Sequence, residues 1–140
     1  MAIKTSTIQV KTSSSTDIID ISGQVEKIIS KSSFSDGLVH LFISGSTAAL
    51  TTIESESGVI NDLGKAIERI APQNITYEHD RRWGDGNGYA HVRAALLGPS
   101  LTIPLVNGKM LLGTWQQVVL CDFDNRPRTR EIIVQVHASE

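Results

Sequence analysis

Apolar and polar side chains alternate over much of this chain, and the places where the period changes mark its elements. Ile3 to Val10 alternates with a period of two and predicts an early strand, with the facing of its two sides left open. Lys11 to Thr16 is a polar turn, and Asp17 to Ile21 resumes as a short strand. Ser22 is placed to cap a helix whose Val25, Ile28 and Ile29 share one face. After the turn Ser35-Asp36-Gly37, the run to Ser44 sets Val39, Leu41 and Ile43 against Leu38, His40 and Phe42. Both sides are largely apolar, so this strand is expected to be covered on both. Gly45-Ser46-Thr47 breaks the run, and Ala48 to Glu54 reads as β again.

From Gly58 the spacing becomes helical. Leu63, Ala66, Ile67 and Ile70 form the predicted buried stripe, which stops before Pro72. A further helix is predicted from near Asn87, with Ala90, Ala94 and Leu97 inward and Gly98-Pro99 ending it. The rest predicts strands at Leu101 to Val106, Met110 to Phe123 and Glu131 to Ala138, the first two joined by an Asn107-Gly108 hairpin turn. Gly113 marks a bulge in the long strand; Trp115 is assigned to the core, and Gln116 needs a polar partner from a ligand or a facing subunit. His137 falls on the solvent side of the last strand. The pattern specifies an α+β fold, a mostly antiparallel β-sandwich with two to three helices. A parallel βαβ series does not fit a C-terminal third without helices.

With 140 residues, 40% of them hydrophobic and 20% charged, the chain reads as one globular domain over residues 1–140. A formal net charge of −2 argues against broad nucleic-acid binding. The N-terminus has no apolar signal core, and no run approaches the ~20 apolar residues of a membrane span, so a cytoplasmic protein without membrane contact is expected. Cys121 is the only cysteine, which excludes an internal disulfide; in the run Val118 to Cys121 it reads as a packed thiol.

Candidate chemistry concentrates in Glu78-His79-Asp80 and Gly84-Asp85-Gly86-Asn87-Gly88-Tyr89-Ala90-His91. If Asn87 caps the last of these helices, His91 lies one turn in, and the glycine loop can fold His79, Asp80 and Asp85 back onto it. A helix N-terminus there would suit phosphate or carboxylate, with Arg81, Arg82 and Arg93 as additional anion contacts. Imidazoles and carboxylates serve equally as proton shuttles or as metal ligands, and the spacing matches no compact zinc signature. Glu54, Thr47 and Gln116 are further candidates for the same space. A solvated loop is the bland alternative.

Ser46-Thr47-Ala48-Ala49, Glu54, Asp62-Leu63, His79-Asp80, Asp85 to His91, Leu96 to Ser100, Ile103-Pro104, Gly108, Leu112-Gly113-Thr114-Trp115-Gln116 and Asp124-x-x-Pro127-Arg128-x-Arg130 together resemble the YjbQ or UPF0047 family. The resemblance implies a compact homotrimer with its polar cluster near subunit contacts. It also implies a weak thiamine-phosphate synthase activity, joining a pyrimidine pyrophosphate to a thiazole phosphate and releasing pyrophosphate. Such a reaction takes small phosphorylated metabolites, commonly with Mg²⁺, and Zn²⁺ is the other candidate cofactor. His79, His91, Asp80, Asp85 and Glu54 are then the candidate catalytic residues, and Thr47, Arg81, Arg82, Asn87, Arg93 and Gln116 the candidate substrate contacts. Gly45 stands where relatives of this kind carry a histidine, so a metal site here lacks that ligand or uses another such as Glu54.

Overall fold

The computed structural model describes residues 1–139. The alternating runs become strands β1 (Ala2–Lys11), β2 (Asp17–Asp20), β3 (Gly37–Ile43), β4 (Ala48–Ile53), β5 (Ser100–Val106), β6 (Lys109–Met110), β7 (Gln117–Asp122) and β8 (Thr129–Ala138). They form two sheets, β1-β8-β3-β5-β6 and β2-β7-β4, in which every pair is antiparallel. Four helices complete the described residues: α1 (Ser22–Ser32), α2 (Ser57–Ile70), α3 (Glu78–Trp83) and α4 (Gly88–Leu97). The expected count of two to three helices is corrected to four. The additional one, α3, has six residues and buries none of them, so no apolar stripe could announce it.

The two sheets share one core. Val39, Leu41 and Ile43 of β3 and Ile132, Val134 and Val136 of β8 pack against Leu50 of β4 and Val118 and Leu120 of β7, with Val25 and Ile29 of α1 joining them. The opposite face of the small sheet, through Ala49, Val119 and Cys121, packs on Ile67 of α2 and Tyr89, Ala90 and Ala94 of α4. β7 is therefore apolar on both faces because it lies between two cores. That layering puts the start of α4 beside the ends of β4 and β7, where the site forms.

Four local expectations are overturned. The outward face of β3 is open, with Leu38 and Phe42 exposed, because nothing covers that side of the five-stranded sheet within one chain. Ile70 is exposed at the end of α2, beyond the reach of the small sheet. Trp115 is 71% exposed. The chain leaves the sheet after Met110, and Gln116 closes a turn on Gly113 by donating its N–H to the Gly113 carbonyl (3.0 Å), which turns the indole outward. Ser22 does not cap α1; its Oγ instead accepts the Val118 N–H at 2.8 Å. His137 lies on the outer sheet face, edge-on to His40 with ring centroids 4.7 Å apart. No helix in the described residues is long and apolar enough to cross a membrane.

Leu120 is fully buried, so Leu120→Ala should cost about 2–5 kcal/mol of stability, read from urea denaturation. A loss below about 1 kcal/mol would contradict a close-packed contact between the sheets.

Candidate functional site

The connection from α2 to α4 is built to bring two histidines together. Tyr77 precedes α3 and anchors it by donating its hydroxyl to the Pro72 carbonyl at 2.7 Å. Gly84, at φ 68°, ends α3 in the left-handed conformation, and its N–H returns to the Asp80 carbonyl at 2.8 Å. Gly88 opens α4 in direct contact with Tyr77: a Cβ there would lie 2.5 Å from Tyr77 Cβ. Only glycine lets the two helices approach this closely. As a result the His79 and His91 rings stand 4.4 Å apart, tilted by 41°.

Asp85 and Asp80 flank the pair. His79 Nδ1 lies 3.2 Å from Asp85 Oδ1 and 3.5 Å from Asp80 Oδ1, yet neither approach is aligned as a hydrogen bond, and the atom is buried without a partner. Asp80 Oδ1 instead accepts the Gly88 N–H at 2.8 Å. Ligand atoms of His79, Asp85 and His91 all lie within 4.8 Å of one another. Tetrahedral ligands of one Zn²⁺ with ~2.1 Å bonds stand roughly 3.4 Å apart, so the side chains must draw in by about an ångström or more to share an ion. The donor set of two imidazoles and one carboxylate suits Zn²⁺, and an orphaned ring nitrogen is what such an ion would satisfy.

His91 and Asp85 open into a cavity of about 560 Å³ that is also lined by Gly45, Ser46, Thr47, Asn87, Asp124 and Asn125, and walled by Arg126, Arg128 and Arg130. Its floor is a buried ionic network. Arg130 donates from Nε and Nη2 to the two carboxylate oxygens of Asp122 at 2.7 and 2.8 Å. Arg130 Nη2 also donates to Thr47 Oγ1 at 2.7 Å, and that hydroxyl donates to Asp124 Oδ2 at 2.9 Å. Asn87 Nδ2 donates to the same Asp124 oxygen at 3.2 Å. Burial on its own would raise the Asp124 carboxyl, but hydrogen bonds from Thr47, Arg128 and Asn87, and the charge of Arg128, outweigh it and hold the group below the usual aspartate range. Hydrogen bonding to Asp122 raises Arg130 further, so its guanidinium stays charged at any physiological pH.

The sequence-based candidates divide. His79, Asp80, Asp85, Asn87 and His91 come together, and Thr47 lines the same cavity with its hydroxyl committed to Asp124 and Arg130. Glu54 and Gln116 do not join them. Glu54 lies in a separate depression with Asp20, Glu56 and Trp115, while Gln116 Nε2 donates to Thr52 Oγ1 at 3.0 Å, so its partner is neither a ligand nor a subunit. Arg81 and Arg82 are exposed on α3 outside the cavity, Arg81 turned about 200° from His79. Arg93 is buried on the other side of α4, donating to the Ala71 carbonyl at 3.0 Å and Thr16 Oγ1 at 2.8 Å and pairing with Glu68. The open helix terminus expected at α4 is also corrected: Asp80 takes the first amide, and the Ala90 and His91 amides return to the Asn87 carbonyl. The cations that do wall the cavity, Arg126, Arg128 and Arg130, are three arginines at period-two spacing entering a strand, a pattern visible in the sequence.

Residues 6–139 match the family model described as UPF0047 protein YjbQ-like. The chain belongs to the UPF0047 YjbQ-like family. A UPF0047 protein of Archaeoglobus fulgidus is 40% identical over 128 residues, covering 91% of this chain and 97% of the relative. A Sulfolobus solfataricus YbjQ-like protein, itself of unknown function, superposes with a TM-score of 0.88 at 29% identity, covering 99% of this chain and all of that one. A YjbQ/UPF0047 structure from Clostridium acetobutylicum gives 0.85 at 34% identity over 94% of this chain and 98% of that one. These likenesses establish the family and its α+β fold; they carry no assigned reaction for this UPF0047 member.

Two tests follow from the geometry. A carboxyl held low in the folded state contributes stability that is complete above its unfolded value, about 3.9, and is lost as pH falls through the folded one. Urea midpoints should therefore fall steeply below about pH 4, and Asp124→Asn should be less stable near neutrality but less steep in acid. An unchanged acid limb in the variant would remove Asp124 from that role. Burial pushes the Cys121 thiol up to about 12, so iodoacetamide should label it only as the protein unfolds, and native-state labelling at the rate of a free thiol would contradict the packing.

Proposed function

We propose that the cavity binds a small phosphorylated metabolite beside a divalent cation, Mg²⁺ or Zn²⁺, held by His79, Asp85 and His91. The observation that carries this reading is the convergence of those three ligands around an orphaned imidazole nitrogen, at the edge of a cavity walled by arginines. The donor set favours Zn²⁺; Mg²⁺ would rely on the carboxylates of Asp85 and Asp80. A cation there supplies charge stabilisation for a departing phosphate group. Asp80 orients α4 through the Gly88 amide and Asn87 ties the cluster to Asp124, so both act by positioning.

The reaction we assign is transfer of thiamine-phosphate-synthase type: a pyrimidine–pyrophosphate bond breaks, a bond to a thiazole phosphate forms, and pyrophosphate leaves with the electron pair. It rests on the family resemblance together with the anion-binding chemistry of the cavity. One observation favours a second reading, a non-catalytic metabolite- or metal-binding protein: if both imidazoles and Asp85 ligate a cation, none of them is left to move a proton. We further place the protein in the cytoplasm as a homotrimer, an assembly that would have exposed apolar side chains such as Leu38 and Phe42 to cover.

Purified protein given the two thiamine precursors and a divalent cation should release pyrophosphate, with His91→Ala slowing release by about 100-fold or more. A retained cation with no turnover would instead select the binding protein. Neither turnover nor a retained cation would sink both. Light scattering should report three chain masses in solution, and a monomer would overturn the trimer.

A further inference from the structure

The charge of the site is set jointly by the cavity wall and the cluster beside it. Asp85 and Asp124 line the cavity with three guanidinium groups, Arg126, Arg128 and Arg130, and counting Asp122 beneath Arg130 and Asp80 beside His79 brings the balance of the whole site to one net negative charge. An anion approaching the protein alone therefore meets its own sign. A divalent cation between His79, Asp85 and His91 turns that balance to one net positive charge.

The three arginines are unequal. Arg130 is committed to Asp122 and Thr47 and forms part of the floor. Arg128 reaches Asp124 Oδ2 with Nη2 at 3.1 Å, but its Nε is buried and has no acceptor. One of the two donors on that edge is thus unmatched, although the edge is shaped to grip two oxygens. Arg126 is exposed at the same wall and makes no ion pair among the described residues; only its backbone N–H is engaged, with Asp124 Oδ1 at 3.2 Å. Asn87 joins this wall to the cluster. Its backbone N–H donates to Asp85 Oδ1 at 3.2 Å, and its Nδ2 donates to Asp124 Oδ2, the oxygen that also holds Arg128. One residue therefore separates the candidate cation ligands from the unmatched guanidinium.

We propose that Arg126 and Arg128 form a phosphate subsite that becomes competent only when a divalent cation occupies the His79–Asp85–His91 cluster. With the half-exposed Arg128 side chain turned into the cavity, phosphate oxygens meet its two-donor edge and supply the acceptor that Nε lacks, Arg126 adds a second cationic contact, and the cation removes the negative excess. The subsite rests on the cation reading given above, and its ligand class is a phosphate monoester or a terminal phosphate group. Arg128 is then a specificity-determining residue, because a lysine at its place keeps the charge and loses the two-donor edge.

Calorimetry with inorganic phosphate tests it, using protein stripped by a chelator and protein loaded with Zn²⁺ or Mn²⁺ and freed of excess metal. Loaded protein should bind phosphate at least about tenfold more tightly than stripped protein. Arg128→Lys and, independently, the exposed Arg126→Gln should each weaken phosphate about tenfold while keeping one cation per chain by elemental analysis. His79→Ala should lose cation and phosphate together. Equal phosphate binding with and without the cation, no phosphate binding to loaded protein, or full affinity in both arginine variants would each overturn the subsite and leave the cation reading standing. Wild-type protein that retains no cation would instead remove the cation reading, and this subsite with it.

Discussion

Two carboxylates with almost no access to water, Asp122 and Asp124, decide how the site end of this molecule is put together. An uncompensated charge at such depth would be prohibitive, so each one dictates where its partners must be. Asp122 fixes Arg130 at the start of β8 and accepts the Thr12 hydroxyl at the end of the β1 segment. Asp124 gathers Thr47 before β4, Asn87 before α4 and Arg128 before β8. Four chain segments far apart in sequence are thereby held to one another by directional bonds. The apolar layers stack the sheets; this network sets the relative position of their ends. The cavity is the space left among those bonded segments, which is why its lining is polar although two apolar cores lie close by.

Most of the architecture was legible as periodicity. Strands β1 to β5 and β8, the Asn107-Gly108 hairpin and the inward face of α4 follow from spacings that each serve one local geometry, whereas the single strand expected from Met110 to Phe123 is interrupted between Met110 and Gln117. What escaped was governed by contacts that spacing does not encode. α3 is six residues long and polar, and it exists because Gly84 can terminate it and Gly88 can press against Tyr77. Trp115 resembled core because it followed apolar residues, but a turn closed by Gln116 carries it outside. The apolar outward face of β3 is the opposite case: the residues were read correctly, while the assumption that one chain must cover them was not.

The site shows the same division. Proximity of the two histidines could be argued from a glycine-rich loop leading into a helix, since the loop had few other places to go. Which cations would stand near them could not. Arg93 is two positions from His91, a spacing that turns it to the other side of α4, where its donors meet Ala71, Thr16 and Glu68. The arginines that line the cavity come from the β7–β8 connection and the start of β8, where the buried Asp124 and Asp122 hold Arg128 and Arg130.

The shallow seating of α3 has a thermodynamic corollary. A six-residue helix that buries no side chain is a weakly held unit, tied to α4 by the bond from the Gly88 N–H to Asp80 and not by apolar packing of its own. One imidazole of the cluster rides on it, while the other belongs to the firmly packed α4. Anything that bridges the two rings therefore staples a loose element to a rigid one, and occupancy and local folding become a single equilibrium. Affinity at such a place is tuned as much by the intrinsic helicity of Glu78–Trp83 as by the ligating atoms themselves.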